Sequence, residues 1–357
     1  MRAVAGVVFA AVASLAVTFA GAPATKLPPP SFSFTASGSL SGLAAAGARV
    51  ALAMGCDVRV IDLVRGSKPV RVRPVGDCRS DPFDSGVIDL HLGRATLVAT
   101  MILAPSPHGE SYTLWGGPLP GGPLRALGDA WGWTDSDVPA GWGCAWTIAA
   151  GGGVVALAQI PNRLAVDQGL ADEPTCPAAA SARITLKGAP RTALTVPGSW
   201  AILATDGKRL ALAQLDDGAL PTGQLSLVDL KGKKLPTPRV AAATVRAASD
   251  GWLTPPGLIL RTSRGISGPG WTIKGLGGYP EAAVAEGRLL YLKRRTIRVR
   301  RLRDGVDRAL LRLPSSSARL AAGSFGLVIA IGTEANTSLY RLPWRTIDRT
   351  LPRASRP

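Results

Sequence analysis

Histidine is almost missing from this chain of 357 residues: His91 and His108 are the only two. That excludes a metal centre built from several imidazoles, and it disfavours a Ser-His-Asp hydrolase. Cysteine is sparse as well. Cys56, Cys78, Cys144 and Cys176 show no CxxC spacing, so no thiolate zinc site is expected. The motifs Gly-x-Ser-x-Gly, HExxH and the phosphate-binding loop do not occur. Gly151-Gly-Gly153 reads as a turn, because no helix follows it to hold a phosphate. The sequence therefore points to no metal and no cofactor. Charge is thin at 18% of residues, below the roughly 25% of an average soluble protein. Yet 46% of residues are hydrophobic and no low-complexity tract occurs, which argues against disorder. What charge there is leans one way: 41 Lys and Arg, mostly Arg, face 24 Asp and Glu, a formal net charge of +17.

Long apolar runs are also absent beyond the first segment. Arg2 precedes an uncharged stretch from Ala3 to Ala20, followed by Gly21-Ala22-Pro23-Ala24. Ala22 and Ala24 fit the small-x-small cleavage pattern of a secretory signal peptide. Cleavage after Ala24 is expected, because cleavage after Ala22 would leave Pro23 at the new N-terminus. A retained anchor is the alternative, since about 18 residues is the lower limit for crossing a bilayer. No Cys follows the run directly, so lipid attachment is not indicated. The expected organisation is a signal peptide over 1–24, a Pro-rich linker over 25–30, one folded domain over 31–345 and a basic tail over 346–357. The expected location is secreted or extracytoplasmic, with no transmembrane span after cleavage. In that setting an even cysteine count suggests disulfides. Short separations favour Cys56–Cys78 and Cys144–Cys176 among the three pairings.

The rest of the chain repeats. Runs of four to eight Val, Leu, Ile and Ala residues are broken by Gly, Asp-Gly or Pro, the mark of many short antiparallel strands. A unit of strand, tight turn and strand recurs near residues 43, 87, 147, 201, 245, 282 and 320. The fifth unit is weak, with its turn expected at Asp250-Gly251. A period of about 40–50 residues with four strands per unit points to a β-propeller. Thr205-Asp-Gly-Lys-Arg-Leu-Ala211 resembles the first hairpin of TolB-like and WD-repeat-like propellers, although the Trp-Asp pair is absent. The resemblance implies architecture only and carries no catalytic residue. The expected fold is all-β, seven blades of four antiparallel strands; six and eight blades also fit the spacing. The last unit supplies only three strands. Ser31–Ala36 alternates polar and apolar residues and is expected to complete it, closing the ring.

In such a meander, second-to-third turns and links between blades share one face, which would carry all four cysteines. Two long segments belong to it, 128–145 and 160–181. The first holds Trp131, Trp133, Asp135, Asp137 and Trp142, side chains able to stack on a ligand ring and bind its hydroxyls. Packing over the barrel end is the competing role for these Trp. Residues 288–303 hold eight basic residues, with Lys293, Arg294 and Arg295 in a turn on the same face. They suit an anionic partner, while nucleic acid is disfavoured by export and by the lack of interleaved aromatics. The inner strands read as Ala, Val, Leu and Gly, with the acidic residues in turns, so a catalytic channel is not expected. The functional expectation is a monomeric, exported, non-catalytic module at the cell envelope. It would bind a protein, an anionic polymer or a glycan through the 128–145 and 160–181 face. The alternative is a propeller enzyme acting on glycans or lactones.

Overall fold

The computed structural model describes residues 27–351, apart from 36–38, 67, 73–85, 107–108, 120, 132–143, 162–180, 217–219, 277–279, 316 and 334–335. It is a ring of seven four-stranded antiparallel sheets. Blade 1 contains β2 (Leu40–Ala46), β3 (Arg49–Met54), β4 (Asp57–Asp62) and β5 (Val70–Val72). Blade 2 contains β6 (Gly86–Leu92), β7 (Thr96–Ser106), β8 (Gly109–Pro118) and β9 (Arg125–Trp131). Blade 3 contains β10 (Cys144–Gly151), β11 (Val154–Pro161), β12 (Ser181–Lys187) and β13 (Ala193–Pro197). Blade 4 contains β14 (Trp200–Thr205), β15 (Arg209–Leu215), β16 (Pro221–Asp229) and β17 (Lys234–Leu235). A short helix, α1 (Ala242–Arg246), leads to blade 5: β18 (Ala248–Thr254), β19 (Gly257–Thr262), β20 (Gly265–Gly268) and β21 (Trp271–Lys274). Blade 6 contains β22 (Ala282–Ala285), β23 (Arg288–Lys293), β24 (Thr296–Arg301) and β25 (Asp307–Arg312).

Blade 7 draws on both ends of the chain. Its strands are β26 (Ala318–Gly323), β27 (Gly326–Gly332), β28 (Asn336–Leu342) and β1 (Phe32–Thr35). Phe32 pairs with Leu339 and Thr35 with Asn336. Phe34 is 6% exposed and packs with Leu52, Ile61, Phe325 and Leu339, so the closing strand also joins blade 7 to blade 1. The ends of the domain are built in as well. Leu27 packs on the cluster between blades 6 and 7, as do Ile347 and Leu351. Ile347 lies on α2 (Trp344–Thr350), so the boundary expected at 345 falls inside a packed helix.

Alternation explains the continuous apolar runs. On β3, Val50, Leu52 and Met54 face blade 7 while Ala51 and Ala53 face blade 2. Both faces of each sheet are buried, so successive residues are apolar although their side chains point in opposite directions. The tips of the inner hairpins touch. Gly151–Gly153, the turn between β10 and β11, lies against Asp206-Gly207 of blade 4. A Cβ on Gly152, at φ 56°, would overlap the Asp206 carbonyl oxygen. Aspartates at the ends of third strands close turns. Asp62 Oδ1 accepts from the Val64 and Arg65 amides, and Asp229 Oδ1 from those of Lys231 and Lys233.

Two expectations need correction. Asp250-Gly251 is not a turn: both residues lie within β18, and the hairpin turn is Pro255-Pro256. Asp250-Gly251 carries a turn signal inside a strand that also holds a bulge after Ala248, which hid the true turn five residues on. Residues 128–131 belong to β9, so the segment between blades 2 and 3 is shorter than the sequence suggests.

Closure through β1 predicts that Phe34→Ala costs about 3 kcal/mol. Denaturant melts of wild type and variant should show it as a lower midpoint with a single cooperative transition. An unchanged midpoint would mean that β1 does not hold the ring.

Candidate functional site

The inner strands surround a channel of about 1580 Å³. Most of its wall is Ala, Leu and Gly, as the composition of those strands suggests. The expectation that acids stay in turns fails in two places. Asp89 is the fourth residue of β6 and Asp250 the third of β18, and both line the channel. Each directly follows a bulge, one between Val87 and Asp89 and the other between Ala248 and Asp250. A bulge adds a residue without a partner and turns the strand locally. In β6 it leaves Ile88 and Asp89 both exposed to the channel, between buried Val87 and Leu90. Similar bulges occur in β2 and β14, but there Gly42 and Ala204 follow them.

Several charge pairs line this channel, three of them on or beside the inner strands. His91 Nε2 lies 3.0 Å from Asp89 Oδ2, and the Leu90 amide donates to Asp89 Oδ1 at 2.8 Å. Asp250 faces Arg261 across the β18–β19 ladder. Arg261 Nε lies 2.9 Å from Asp250 Oδ1, and Arg261 Nη2 donates to Oδ2. Glu281, just before β22, accepts from Arg319 Nη1 at 3.2 Å and from the Leu320 amide at 2.8 Å. That last bond ties blade 6 to blade 7.

Burial is the largest influence on the His91 imidazole and disfavours its charge. The Asp89 carboxylate, by charge and by hydrogen bond, and Asp250 farther off outweigh it, so the His91 pKa lies above its ordinary value. Burial likewise opposes the Asp89 charge, but His91 and the Leu90 amide hold its pKa below the ordinary carboxylate value. Arg261 acts on both groups, which links blades 2 and 5 electrostatically across the channel. Among the described residues, no three His, Cys, Asp or Glu side chains gather closely enough to hold a metal ion.

The residues singled out in the sequence fall elsewhere. Trp133, Asp135, Asp137, Trp142, Cys78 and Cys176 lie outside the described residues. Trp131 ends β9 and Cys144 opens β10, and only their backbones are described. Cys56 sits half-buried in the β3–β4 turn and is disulfide-bonded. Trp115 is buried between blades 1 and 2, and Trp146 packs between blades 2 and 3, so these two Trp serve packing. Lys293 ends β23, and Arg294-Arg295 form the exposed β23–β24 turn, a second-to-third turn like that of Cys56.

The rest of the basic segment is largely neutralised. Arg288 Nε lies 2.7 Å from Asp348 Oδ1, and its guanidinium lies 5.0 Å from the Trp344 ring. Arg298 Nε lies 2.8 Å from Asp307 Oδ1, and Tyr291 donates to Asp307 Oδ2 at 2.6 Å. Arg300 lies 4.7 Å from the Trp271 ring, and Arg301 Nε lies 2.7 Å from Asp304 Oδ2. Among the described residues, Lys293, Arg294 and Arg295 have no acidic partner. Arg294 holds φ 58°, a backbone conformation costly for a side-chain-bearing residue.

No protein-family model matches the chain, and no curated protein does. Solved structures are similar to it over most of its length. A chain of the mitotic checkpoint complex is 11% identical with a TM-score of 0.45, covering 96% of this chain and 99% of that one. A glucose dehydrogenase is 11% identical with a TM-score of 0.41, covering 87% and 98%. A CNH domain is 13% identical with a TM-score of 0.40, covering 87% and 96%. The resemblance to TolB-like and WD-repeat-like propellers is one of architecture.

The raised His91 pKa fixes the sign of a pH effect. A charge stabilised in the folded state adds stability that is complete below the unfolded pKa, about 6.5, and is lost as pH rises through the folded pKa. Wild type should therefore melt above His91→Gln by a wider margin at about pH 5 than at about pH 8.5. An equal margin at both values would show that the pair does not titrate as a pair.

Proposed function

We propose that this chain is an exported, non-catalytic binding propeller that takes an anionic polymer of the cell envelope on its linker face. The observation that carries this reading is the β23–β24 turn. Other cations of 288–303 are tied to Asp348, Asp307 or Asp304, or lie against an aromatic ring, while Lys293, Arg294 and Arg295 are exposed and have no acidic partner among the described residues. Clustered cations attract a polyanion, and the net charge, +17 less the one of Arg2 removed with the leader, or +16, strengthens the approach. Strand direction puts the ends of β9 and β11 on the same face as this turn. In this reading Trp131, Trp133, Asp135, Asp137 and Trp142 add contacts to the polymer's sugar units. Cleavage after Ala24 and the pairs Cys56–Cys78 and Cys144–Cys176 belong to the same proposal, as does a monomeric state. No helix of the described residues is long and apolar enough to cross a membrane.

Dextran sulfate serves as the test polymer. Binding to the mature protein should weaken steeply with salt, because the contacts are solvent-exposed charges. The variant Lys293→Gln/Arg294→Gly/Arg295→Gln should lose about tenfold in affinity and show a shallower salt dependence. Glycine at 294 also removes the cost of the left-handed backbone, so this variant should fold at least as stably. Unchanged affinity would overturn the assignment to this turn.

A second reading, an enzyme acting on glycans or lactones in the channel, is favoured by one observation: His91 oriented by Asp89, as a general base would be. Against it, Asp250 and Glu281 are held by arginines, and glycoside hydrolysis requires a second carboxyl free to give a proton. Turnover of a glycan or lactone that disappears in His91→Gln would establish this reading.

A further inference from the structure

We infer that the central channel holds a second binding site, built by Asp89, His91, Asp250 and Arg261, for a neutral polyhydroxylated ligand of the saccharide class. The inference is independent of the anionic partner proposed for the linker face. It begins with the backbone. Bulges recur in the inner strands of blades 1, 2, 4 and 5, and only in blades 2 and 5 is the next residue acidic. Those two blades stand nearly opposite each other in a ring of seven. A charged side chain on either sheet face would be buried against the neighbouring blade without water. The extra residue instead turns each aspartate to the channel, and its cation follows: His91 two residues on, Arg261 directly across the ladder.

The chemistry of the ligand follows from what these groups leave unsatisfied. His91 uses Nε2 for Asp89, and its Nδ1 has no partner among the described residues. The Asp89 side chain is 61% exposed, so its oxygens accept further bonds from the channel. Arg319, 46% exposed beside Glu281, contributes spare donors. Acceptors and donors thus alternate around one cavity, which is what vicinal hydroxyls bind, each giving one hydrogen bond and taking another. Formal charge agrees. With His91 neutral, the five acids and five arginines that line the cavity cancel; with His91 protonated, one positive charge is left. A wall so nearly balanced gives neither a polyanion nor a cation a strong net attraction. Between the polar groups Ile88 is 39% exposed to the channel, an apolar surface for the C–H face of a sugar ring. The volume of about 1580 Å³ exceeds that of a drug-sized pocket and suits several sugar units with bridging water.

Having only two histidines makes the test direct. In the His108→Gln variant of the mature protein, the imidazole proton NMR signal belongs to His91 alone. That signal is followed while maltotriose, cellotriose or chitotriose is added, and separately dextran sulfate. At least one of the neutral sugars should shift it saturably. The sugar should also lower the pH at which His91 titrates, because a hydroxyl donating to Nδ1 holds the ring neutral. Asp89→Asn should weaken the effect about tenfold, and Ile88→Arg, which fills the channel from an exposed position, should abolish it. Dextran sulfate should leave the signal in place. The proposal is overturned if none of the three sugars moves the signal at about 10 mM. It is equally overturned if the shift survives both variants, with thermal melts confirming that they fold.

Discussion

Each blade is buried on both faces by its two neighbours, and the rest of the molecule follows from that. Seven apolar clusters fill the seven interfaces of the ring, from Leu90 and Val60 between blades 1 and 2 to Phe34 and Val328 between blades 7 and 1. A blade removed from the ring would expose two such surfaces, so the sheets stand or fall together. The same constraint recruits the chain ends. β1 fills the fourth place of blade 7, and Leu27 and α2 cover the cluster between blades 6 and 7.

Two-sided burial also dictates where charge can go. The sheet faces take charge only where it is paired, as Asp57 is with Arg59 and Arg71, so most charged groups are left with the outer strands, the turns and the channel. On the outer strands the protein neutralises it locally, as Asp307 does with Arg298 and Tyr291. In the turns, aspartates such as Asp62 and Asp229 are used up on backbone amides. In the channel, a bulge turns each of Asp89 and Asp250 away from both faces. The two functional readings therefore use the two kinds of place where polar groups stay available: an exposed turn and a watered channel.

The seven-unit repeat was legible because turn residues punctuate it. Glu286-Gly287, Asp206-Gly207 and Gly152-Gly153 each mark a hairpin tip, and the orphan strand at 32–35 was recognisable from the missing fourth strand of blade 7. The fifth blade was blurred because Asp250-Gly251, a strong turn signal, lies within a bulged strand, while Pro255-Pro256 makes the turn. The basic segment looked like one charged face in sequence. Its partners Asp348, Trp271 and Trp344 are too far along the chain to be matched to it by spacing.

The sequence alone thus determined the class of fold and its closure, because these depend on local alternation and on turn chemistry; that the ring has seven blades and not six or eight was decided by the structure. Only the tertiary structure decided the polar site. Asp89 and Asp250 stand 161 positions apart in unremarkable strands, and nothing in either stretch signals the other. They share a channel because a closed ring of seven brings blades 2 and 5 to opposite walls, and because a bulge in each strand turns one carboxylate inward.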